Sequence, residues 1–373
     1  MTIRVVVVDD SVVIRRLVVQ ALESDPDVEV VATAANGRLA LAKVEQHAPD
    51  AVTMDIEMPE LNGVESVREL RKRGHTMPII MFSTLTERGA AATFDALDAG
   101  ASDYVAKPSN VGSINESLKA VADQLIPKIR ALVPRSIGRS TPTARTAGTA
   151  TARGRADAAP PRPAVTLRTA PRRHAVRAVV LGCSTGGPEA LSRVIERITE
   201  PLPVPLLVVQ HMPAVFTRQL AHRLDRLGPS SVHEATHGQV LEPGGVYIAP
   251  GDTHLEIEGT AGRYRAKITH GAPVNFCRPS VDVLFRSALG VIGSELLGVI
   301  LTGMGADGKA GAGAVADAGG TVIVQDEETS VVWGMPGATA MAGYAHRMLP
   351  ISEIGHTISG IVQASQGAQE VSR

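Results

Sequence analysis

The sequence predicts an α/β protein with two doubly wound parallel-sheet domains joined by a flexible linker. The chain has 373 residues, a usual length for two domains. Short apolar runs alternate with helical patterns in both halves, as they do where helices cover both faces of a parallel sheet. A basic stretch without aromatic residues separates the two halves. We expect domains at 1–125 and 176–364, the linker at 126–175, and a tail at 365–373.

Composition narrows the class of protein further. Hydrophobic residues make up 44% of the chain and aromatic residues only 3%, so we expect cores built from Val, Leu, Ile and Ala. No apolar run reaches the length of a bilayer span, and Met1–Val5 leads directly into a predicted strand. The sequence therefore predicts a cytoplasmic protein without membrane insertion. Cys183 and Cys277 have no metal-ligand spacing, and we expect no disulfide between them.

Charge is distributed unevenly along the chain. Residues 1–125 carry a net charge of −7, residues 126–174 a net charge of +10, and the remainder −4. The basic block is rich in Ala, Thr, Pro and Gly and cannot bury enough apolar surface to offset its chain entropy. We therefore expect about 135–174 to be flexible. A nucleic-acid-binding arm is the alternative, but no aromatic residues accompany its arginines for base stacking, and we expect no nucleic acid as partner.

The first half has a (βα)5 pattern. Its predicted strands are Val5–Val8, Val28–Ala32, Ala51–Met54, Ile79–Phe82 and Asp103–Val105. Its predicted helices begin after Ser11 and lie at Gly37–Glu45, Val64–Arg73, Ala90–Ala99 and Ile114–Leu125.

Polar side chains follow four of these strands. They are Asp9, Asp10, Asp55, Ser83 and Lys107. In doubly wound sheets the carboxyl ends of the strands form the binding site. Clustered carboxylates can hold Mg²⁺, and one of them can attack a phosphoryl group. Lys107 and Ser83 would then bind the oxygens of the acyl phosphate. Any one of these groups alone could be a solvated loop residue, but five at strand ends favour a phosphate-accepting site.

Four strings resemble the receiver domain of response regulators: Val8-Asp9-Asp10-Ser11, Met54-Asp55-Ile56-Glu57-Met58-Pro59, Phe82-Ser83-Thr84 and Lys107-Pro108. The resemblance covers residues 3–125 and implies a flavodoxin-like fold in which a partner histidine kinase phosphorylates Asp55. It also implies a Mg²⁺ site made by Asp10, Asp55, the Glu57 carbonyl and, in an assisting role, Asp9. Tyr104 matches the family's switch aromatic, and a half-buried strand tyrosine is the alternative.

The most informative stretch of the second half is Gly182-Cys183-Ser184-Thr185-Gly186-Gly187-Pro188. It follows the apolar run Ala178–Leu181 and opens a helical pattern whose first turn suits Pro188. A serine at such a strand–turn–helix junction lies beside unpaired backbone N–H groups, where an attacking oxygen and an oxyanion site can coexist. The Gly-x-Ser-x-Gly pattern alone also fits a phosphate-binding or purely structural turn. Cys183 is the alternative nucleophile, although a small residue that ends a strand is usually packed.

Two further polar residues follow predicted parallel strands. His211 follows the strand Leu206–Gln210, and Asp307 lies in the glycine-rich turn after Leu296–Leu301. With Ser184 they can converge as nucleophile, general base and orienting carboxylate. The turn around Met304 offers backbone N–H groups for an oxyanion. The helix Lys309–Ala318 and the strand Thr321–Val324 continue the alternation.

The chain order Ser, His, Asp differs from that of α/β-hydrolases. The loop Arg278–Asp282, before a predicted helix at Val283–Ala288, is either a substrate contact or a helix cap.

Five strings resemble the chemotaxis-type protein-glutamate methylesterases, the CheB family: Gly182–Pro188, Gln210-His211-Met212-Pro213, Tyr247-Ile248-Ala249-Pro250-Gly251, Arg278-Pro279-Ser280-Val281-Asp282 and Thr302-Gly303-Met304-Gly305-Ala306-Asp307-Gly308. The resemblance covers about 176–364 and implies a Rossmann-like domain. It implies hydrolysis of γ-glutamyl methyl esters on methyl-accepting chemotaxis receptors, with release of methanol, and deamidation of receptor glutamines. The implied roles are nucleophile for Ser184, base for His211, its partner for Asp307, and oxyanion lining for Thr185 and Met304, without a cofactor.

Two alternatives to this function stay open at the level of sequence. The same enzyme could serve a non-flagellar chemosensory array with other receptors. A catalytically idle chain could instead compete for the phosphoryl groups of the chemotaxis kinase, although the presence of Ser184, His211 and Asp307 counts against this. The linker is longer and richer in arginine than the resemblance leads us to expect.

Overall fold

A computed structural model of the chain describes residues 2–108, 113–133, 165–169, 175–260 and 262–370. Most of the predicted flexible linker lies outside these residues, as does the end of the predicted tail. No helix within the described ranges is long and apolar enough to cross a membrane.

The N-terminal domain contains a five-stranded parallel sheet in the order β2-β1-β3-β4-β5. Its strands are β1 Ile3–Val8, β2 Val28–Ala34, β3 Ala51–Asp55, β4 Ile79–Ser83 and β5 Asp103–Ala106. Its helices are α1 Val12–Glu23, α2 Gly37–His47, α3 Gly63–Lys72, α4 Glu87–Asp98 and α5 Ile114–Leu132. The doubly wound (βα)5 prediction is confirmed. Each of these helices begins after a polar side chain that accepts a backbone N–H of the first turn: Ser11, Asn36, Asn62, Thr86 and Ser113.

The last helix of this domain is longer than predicted. We expected it to end at Leu125, but α5 continues through Pro127 to Leu132. Ile129 and Leu132 are buried in the same apolar cluster as the strands, so burial holds the extra turns in place. Residues 126–132, assigned to the linker from the sequence, therefore pack with the first domain.

The C-terminal domain is built on a seven-stranded parallel sheet in the order β14-β13-β12-β6-β7-β9-β8. Its elements are β6 Ala178–Cys183, α6 Gly187–Glu196, β7 Leu206–Gln210, α7 Ala214–Leu224, β8 Ser231–Glu234, β9 Gly245–Ile248, β10 His254–Thr260, β11 Arg263–Thr269, α8 Val281–Ile292, β12 Leu296–Ile300, α9 Lys309–Asp317, β13 Thr321–Gln325, α10 Met335–Met341, β14 Arg347–Leu349 and α11 Ile351–Glu370. Strands β10 and β11 form a separate antiparallel pair. Helix α11 continues into the predicted tail, where Ser365 is buried.

The order of the central strands fixes the position of the candidate site. Strand β6 pairs with β7 on one side and with β12 on the other, so the direction of winding changes at β6. Every residue of these three strands is buried, which explains their continuous apolar runs. Loops that leave the carboxyl ends of strands at such a change form a crevice.

The two domains pack against each other through α4 and β5 of the first and α7 of the second. The ring of Tyr104 stacks on that of Phe216, with 4.6 Å between the ring centroids. The guanidinium of Arg223 pairs with the carboxylate of Asp98. Val332, in a loop beside the crevice, packs against the apolar cluster of the first domain. The first domain therefore covers a surface that extends toward the carboxyl ends of the central strands.

A short segment within the predicted linker is fixed on the second domain. In Val165–Thr169, the backbone N–H of Arg168 donates to the carbonyl of Ala345 at 2.8 Å. Its guanidinium donates to the carbonyl of Gly343 and pairs with Asp317 at 2.6 Å. This segment corrects the prediction of an uninterrupted flexible linker, because main-chain and charge contacts compensate for its lack of aromatic residues.

Candidate active site and phosphorylation site

Ser184 is the first residue after β6, in a turn that its backbone stabilises on both sides. Its N–H donates to the carbonyl of Thr302 at 3.0 Å, and its carbonyl accepts from the N–H of Gly187 at 2.7 Å. Gly186 has a φ of 76°, and a Cβ there would lie 2.6 Å from Val331. The turn therefore requires glycine at this position. Ser184 is half-buried, three residues before the start of α6.

Gln210, which the sequence analysis did not single out, ties this turn to the neighbouring strand. It is the last residue of β7, and its amide nitrogen donates to the carbonyls of Ser184 and His211 at 3.0 and 3.3 Å. Its amide oxygen accepts from the thiol of Cys183 at 3.0 Å. A Cβ at Gly187 would lie 1.9 Å from that oxygen. The only signal in the sequence is a buried-type strand that ends in a polar residue beside a histidine.

His211 and Asp307 are brought together as predicted. Nε2 of His211 lies 2.8 Å from Oδ2 of Asp307. The carboxylate of Asp307 also accepts hydrogen bonds from four donors around the start of α8: the backbone N–H groups of Val281 and Asp282, the hydroxyl of Ser280, and the amide of Asn275. Burial raises the pKa of Asp307, but the hydrogen bonds and the charge of His211 outweigh burial and hold this pKa at about 2. The carboxylate is therefore ionised at neutral pH.

The state of Asp307 determines which nitrogen of His211 can act as a base. An ionised carboxylate only accepts hydrogen bonds, so Nε2 carries a proton, and Nδ1 holds the lone pair when the ring is neutral. Burial lowers the pKa of His211, whereas the contacts with Asp307 and Cys277 raise it, to about 9. The thiol of Cys277 lies 3.6 Å from Nδ1. Within the described ranges, Ser184 and His211 share no direct side-chain hydrogen bond and are linked through Gln210.

The residues predicted to line the oxyanion site lie in the two turns that meet at Ser184. A Cβ on Gly303 would lie 2.9 Å from Cβ of Ser184, so the turn after β12 approaches the serine closely. The backbone N–H groups of Thr185 and Met304 have no acceptor among the described residues. Unpaired N–H groups beside a hydroxyl are what an oxyanion site needs.

In the first domain, a lysine lies between two buried carboxylates. Nζ of Lys107 lies 2.8 Å from Oδ1 of Asp55 and 3.0 Å from Oδ2 of Asp9. The latter pair lacks the alignment of a hydrogen bond, and Oδ2 of Asp9 has no hydrogen-bond donor. Burial raises the pKa of Asp9, and burial together with the charge of Asp9 raises that of Asp55 to about 6.

This cluster fits a divalent cation. Asp9, Asp10 and Asp55 each offer one carboxylate oxygen, and these atoms lie within 4.8 Å of one another. Hard cations such as Mg²⁺ prefer oxygen ligands of this kind. Oδ2 of Asp9 is buried without a donor, and an added positive charge would offset the burial and the weaker repulsion that raise both carboxyl pKa values.

The remaining residues predicted for this site lie at its edge. The hydroxyl of Ser83 donates to the carbonyl of Gly89 at 3.1 Å. The carboxylate of Glu57 pairs with Arg88 at 3.2 Å, and Glu57 and Asp10 border the same open depression of about 630 Å³. Tyr104 is buried against the second domain, as described above, rather than half-buried within its own strand.

Comparisons with known proteins match both domains. Residues 179–358 match the family described as CheB methylesterase, and residues 5–119 match the response regulator receiver domain. A protein from Nocardioides sp., named protein-glutamate methylesterase/protein-glutamine glutaminase, is 57% identical over 357 residues, which cover 95% of this chain and 94% of that protein. A protein of the same name from Trichodesmium erythraeum is 40% identical, with 95% and 97% covered. The solved catalytic domain of Thermotoga maritima CheB methylesterase is 42% identical and covers 50% of this chain and 100% of its own, with a TM-score of 0.49.

Proposed function

The chain belongs to the CheB methylesterase family, and we propose that it hydrolyses γ-glutamyl methyl esters of chemotaxis receptors through Ser184, His211 and Asp307. It carries a receiver domain ahead of the methylesterase domain. The observation that carries the proposal is the hydrogen bond between His211 and Asp307 at the carboxyl ends of β7 and β12, beside the Ser184 turn. A serine hydroxyl and a base oriented by a carboxylate, at one edge of the sheet, are the groups that serine hydrolysis requires.

The proposed reaction begins when the Ser184 hydroxyl attacks the ester carbonyl. Its proton passes to Nδ1 of His211, because Nε2 is engaged by Asp307. The N–H groups of Thr185 and Met304 then donate to the oxygen on which negative charge develops. His211 returns the proton to the departing methoxide, and methanol leaves. Water, activated by the same histidine, releases the glutamate carboxylate. With a glutamine side chain, the leaving group is ammonia.

Control of this reaction is proposed to lie in the receiver domain. Asp55 accepts a phosphoryl group from a partner histidine kinase, and Lys107, already 2.8 Å from its carboxylate, binds the added oxygens. Ser83 would have to exchange its hydrogen bond with Gly89 to join them. Mg²⁺ held by Asp9, Asp10, Asp55 and the Glu57 carbonyl would supply positive charge for the phosphoryl oxygens when bound.

The partners of this reaction are proposed from the family to which the chain belongs. They are methyl-accepting chemotaxis receptors as substrate and the chemotaxis histidine kinase as phosphodonor. We propose a cytoplasmic location. Ester hydrolysis is proposed to need no cofactor, because the nucleophile, the base and the oxyanion donors all belong to the chain itself.

The test measures methanol released from methylated receptor membranes, with and without acetyl phosphate as a small phosphodonor. We expect the phosphodonor to raise release by the full chain. Ser184→Ala should lower release by several orders of magnitude, while its matched control Cys183→Ala stays active. An inactive Cys183→Ala with an active Ser184→Ala would contradict the assignment of the nucleophile. If Asp55 is phosphorylated but the chain releases no methanol, it acts only as an acceptor of phosphoryl groups.

A further inference from the structure

Cys277 is a thiol inside the candidate active site that the proposed mechanism does not use. It is half-exposed, in the loop before α8, with Sγ 3.6 Å from Nδ1 of His211 and 3.4 Å from the carbonyl oxygen of Asn275. The other cysteine, Cys183, is fully buried, and its thiol donates to Gln210. Because the chain has two cysteines, each serves as a comparison for the other.

The tautomer of His211 places a base beside this thiol. Asp307 keeps the proton of the neutral ring on Nε2, so the lone pair of Nδ1 faces Sγ of Cys277. Of the two acceptors near the thiol, only Nδ1 is basic enough to remove its proton. The imidazolium that results is stabilised by the carboxylate of Asp307. A thiolate is the nucleophilic form of cysteine, and a neighbouring histidinium is a known means of producing it.

The loop holds the thiol against the ring and leaves it open on the other side. The backbones of Val274 and Cys277 exchange two hydrogen bonds, at 3.0 and 2.9 Å. Between them, Asn275 and Phe276 adopt positive φ angles of 53° and 63°, and the side chain of Phe276 is fully exposed. Cys277 is itself partly exposed, so small reagents can reach it without displacing a core residue. Cys183 lacks this access, and burial raises the pKa of its thiol well above the usual value.

A metal ion is the competing use of these groups. His211, Cys277 and Asp307 have ligand atoms within 4.8 Å of one another. However, both oxygens of Asp307 already accept hydrogen bonds from surrounding donors, which leaves two free protein ligands. Catalytic zinc sites use three protein ligands and structural sites use four. The geometry therefore favours a reactive thiol.

We propose that Cys277 is a modification site for small electrophiles of the peroxide class, and that its modification inhibits the esterase by engaging His211. In the reaction with hydrogen peroxide, the thiolate sulfur attacks one oxygen, an S–O bond forms and the O–O bond breaks. The departing hydroxide takes the proton from His211 and leaves as water. The sulfur is oxidised by two electrons to a sulfenic acid, and the peroxide is reduced. The new S–OH group donates to Nδ1, the nitrogen that must accept the proton of Ser184. The inhibition rests on the proposed function, whereas the reactivity of the thiol does not.

The first experiment measures reactivity alone. The full chain, kept with a chelator, is treated briefly with iodoacetamide at neutral pH, and both cysteine peptides are quantified by mass spectrometry. We expect Cys277 to be alkylated roughly tenfold or more faster than Cys183. His211→Gln should slow alkylation of Cys277 several-fold, while continued protection of Cys183 reports that the fold is intact. The proposal is overturned if Cys277 reacts no faster in the native chain than in urea, or if His211→Gln leaves its rate unchanged.

The second experiment measures inhibition. Methanol release is followed after peroxide treatment and again after reduction with dithiothreitol, and each variant is compared with its own untreated rate. We expect the wild type and Cys183→Ser to lose activity and to regain it on reduction, and Cys277→Ser to keep its untreated rate. Activity that persists after Cys277 has been oxidised would overturn the inhibitory role. A chain that releases no methanol before treatment would instead contradict the proposed function, and the alkylation result would still stand.

Discussion

The two domains place a carboxylate at the carboxyl ends of parallel strands, yet they surround it in opposite ways. Asp55 in the receiver domain has two carboxylate neighbours and one lysine, and its pKa is raised to about 6, mainly by burial. Asp307 in the methylesterase domain accepts hydrogen bonds from His211, Asn275 and the start of α8, and its pKa is lowered to about 2 despite burial. The carboxyl ends of the strands thus hold two different carboxylates. Asp55 would be stabilised by an added cation, whereas Asp307 already accepts a full set of hydrogen bonds.

The difference shows what each carboxylate is suited to do. The charge of Asp55 is poorly compensated by its neighbours, so a metal ion would stabilise it. One of its oxygens remains available to attack a phosphoryl group. Asp307 has its lone pairs occupied, so it is a poor nucleophile and a firm anchor for the imidazole. The same substitution, aspartate to asparagine, should therefore impair catalysis at Asp307, whereas at Asp55 it should stabilise the fold while removing the proposed phosphoryl acceptor.

The largest expected effect is that of Asp307→Asn on catalysis. An asparagine amide can donate to the ring and favours the wrong tautomer of His211, so methanol release should fall by roughly 10³–10⁴-fold. The matched control Ser280→Ala removes one of the donors to Asp307 and should reduce the rate far less. Retention of more than about a tenth of the activity in Asp307→Asn would contradict the orienting role.

The next effect is the dependence of the rate on pH. A protonated His211 cannot accept the proton of Ser184, and its pKa is raised to about 9 by Asp307 and Cys277, despite burial. Methanol release should rise about tenfold per pH unit toward that value. Cys277→Ser, which removes one of the two contacts, should move the rise to lower pH. A rate already constant above pH 7 would show that the pKa of His211 is close to its ordinary value.

Asp55→Asn should stabilise the fold, although it removes the proposed phosphoryl acceptor. A rise in pKa from 3.8 to about 6 corresponds to about 3 kcal/mol of unfavourable ionisation in the folded state. Because the folded pKa is the higher one, the native state is relatively more stable as pH falls from about 6 toward 3.8. We expect the free energy of unfolding of Asp55→Asn to exceed that of the wild type by about 2 kcal/mol at pH 7 without Mg²⁺.

Urea unfolding with and without Mg²⁺ measures this difference. Mg²⁺ should stabilise the wild type and so reduce the difference in free energy of unfolding, whereas it should not change the stability of Asp55→Asn. Labelling with acetyl phosphate checks the role of Asp55 in the same samples. Label that survives in Asp55→Asn, or that is indifferent to EDTA, would rule out Asp55 as the metal-dependent acceptor.

The smallest effect concerns the contact between the domains. Arg223→Ala removes the pair with Asp98 and should weaken the packing of α4 on α7. Because this pair is partly exposed, we expect only a two- to tenfold rise in unphosphorylated methanol release, from about 1 kcal/mol of lost contact. The control Arg193→Ala removes an arginine that pairs within its own helix, with Glu189. A fall in the rate of Arg223→Ala would mean that the receiver domain assembles the active site rather than covering it.

Much of this architecture was readable from the sequence because its signals are local. Buried strands appear as continuous apolar runs, and the polar residues that follow them fall at one edge of each sheet. That placement predicted that His211 and Asp307 can converge, and their side chains lie within hydrogen-bond distance. The doubly wound fold of both domains was confirmed on the same grounds.

What the sequence did not reveal depends on contacts between distant segments. Gln210 and Asn275 position the candidate site through side-chain hydrogen bonds to residues 26 and 32 positions away. The contact of Cys277 with His211 spans 66 positions. The extra turns of α5 form because Ile129 and Leu132 are buried in the core of the receiver domain. A local sequence pattern does not indicate contacts between residues that are far apart in the chain.

The anchoring of Val165–Thr169 changes the way in which the two domains meet. Arg168 fixes the segment on the methylesterase domain, and α5 is packed on the receiver domain up to Leu132. The connection between the two domains therefore runs from residue 133 to residue 165. Whatever path these residues take, the connection cannot exceed roughly 110 Å. A receiver domain that separates therefore stays at a high effective concentration near the surface it left. The receiver domain binds this surface again in a unimolecular step, so activation should be independent of protein concentration. A contact between the domains that would be too weak to hold two separate chains together can therefore still control the enzyme.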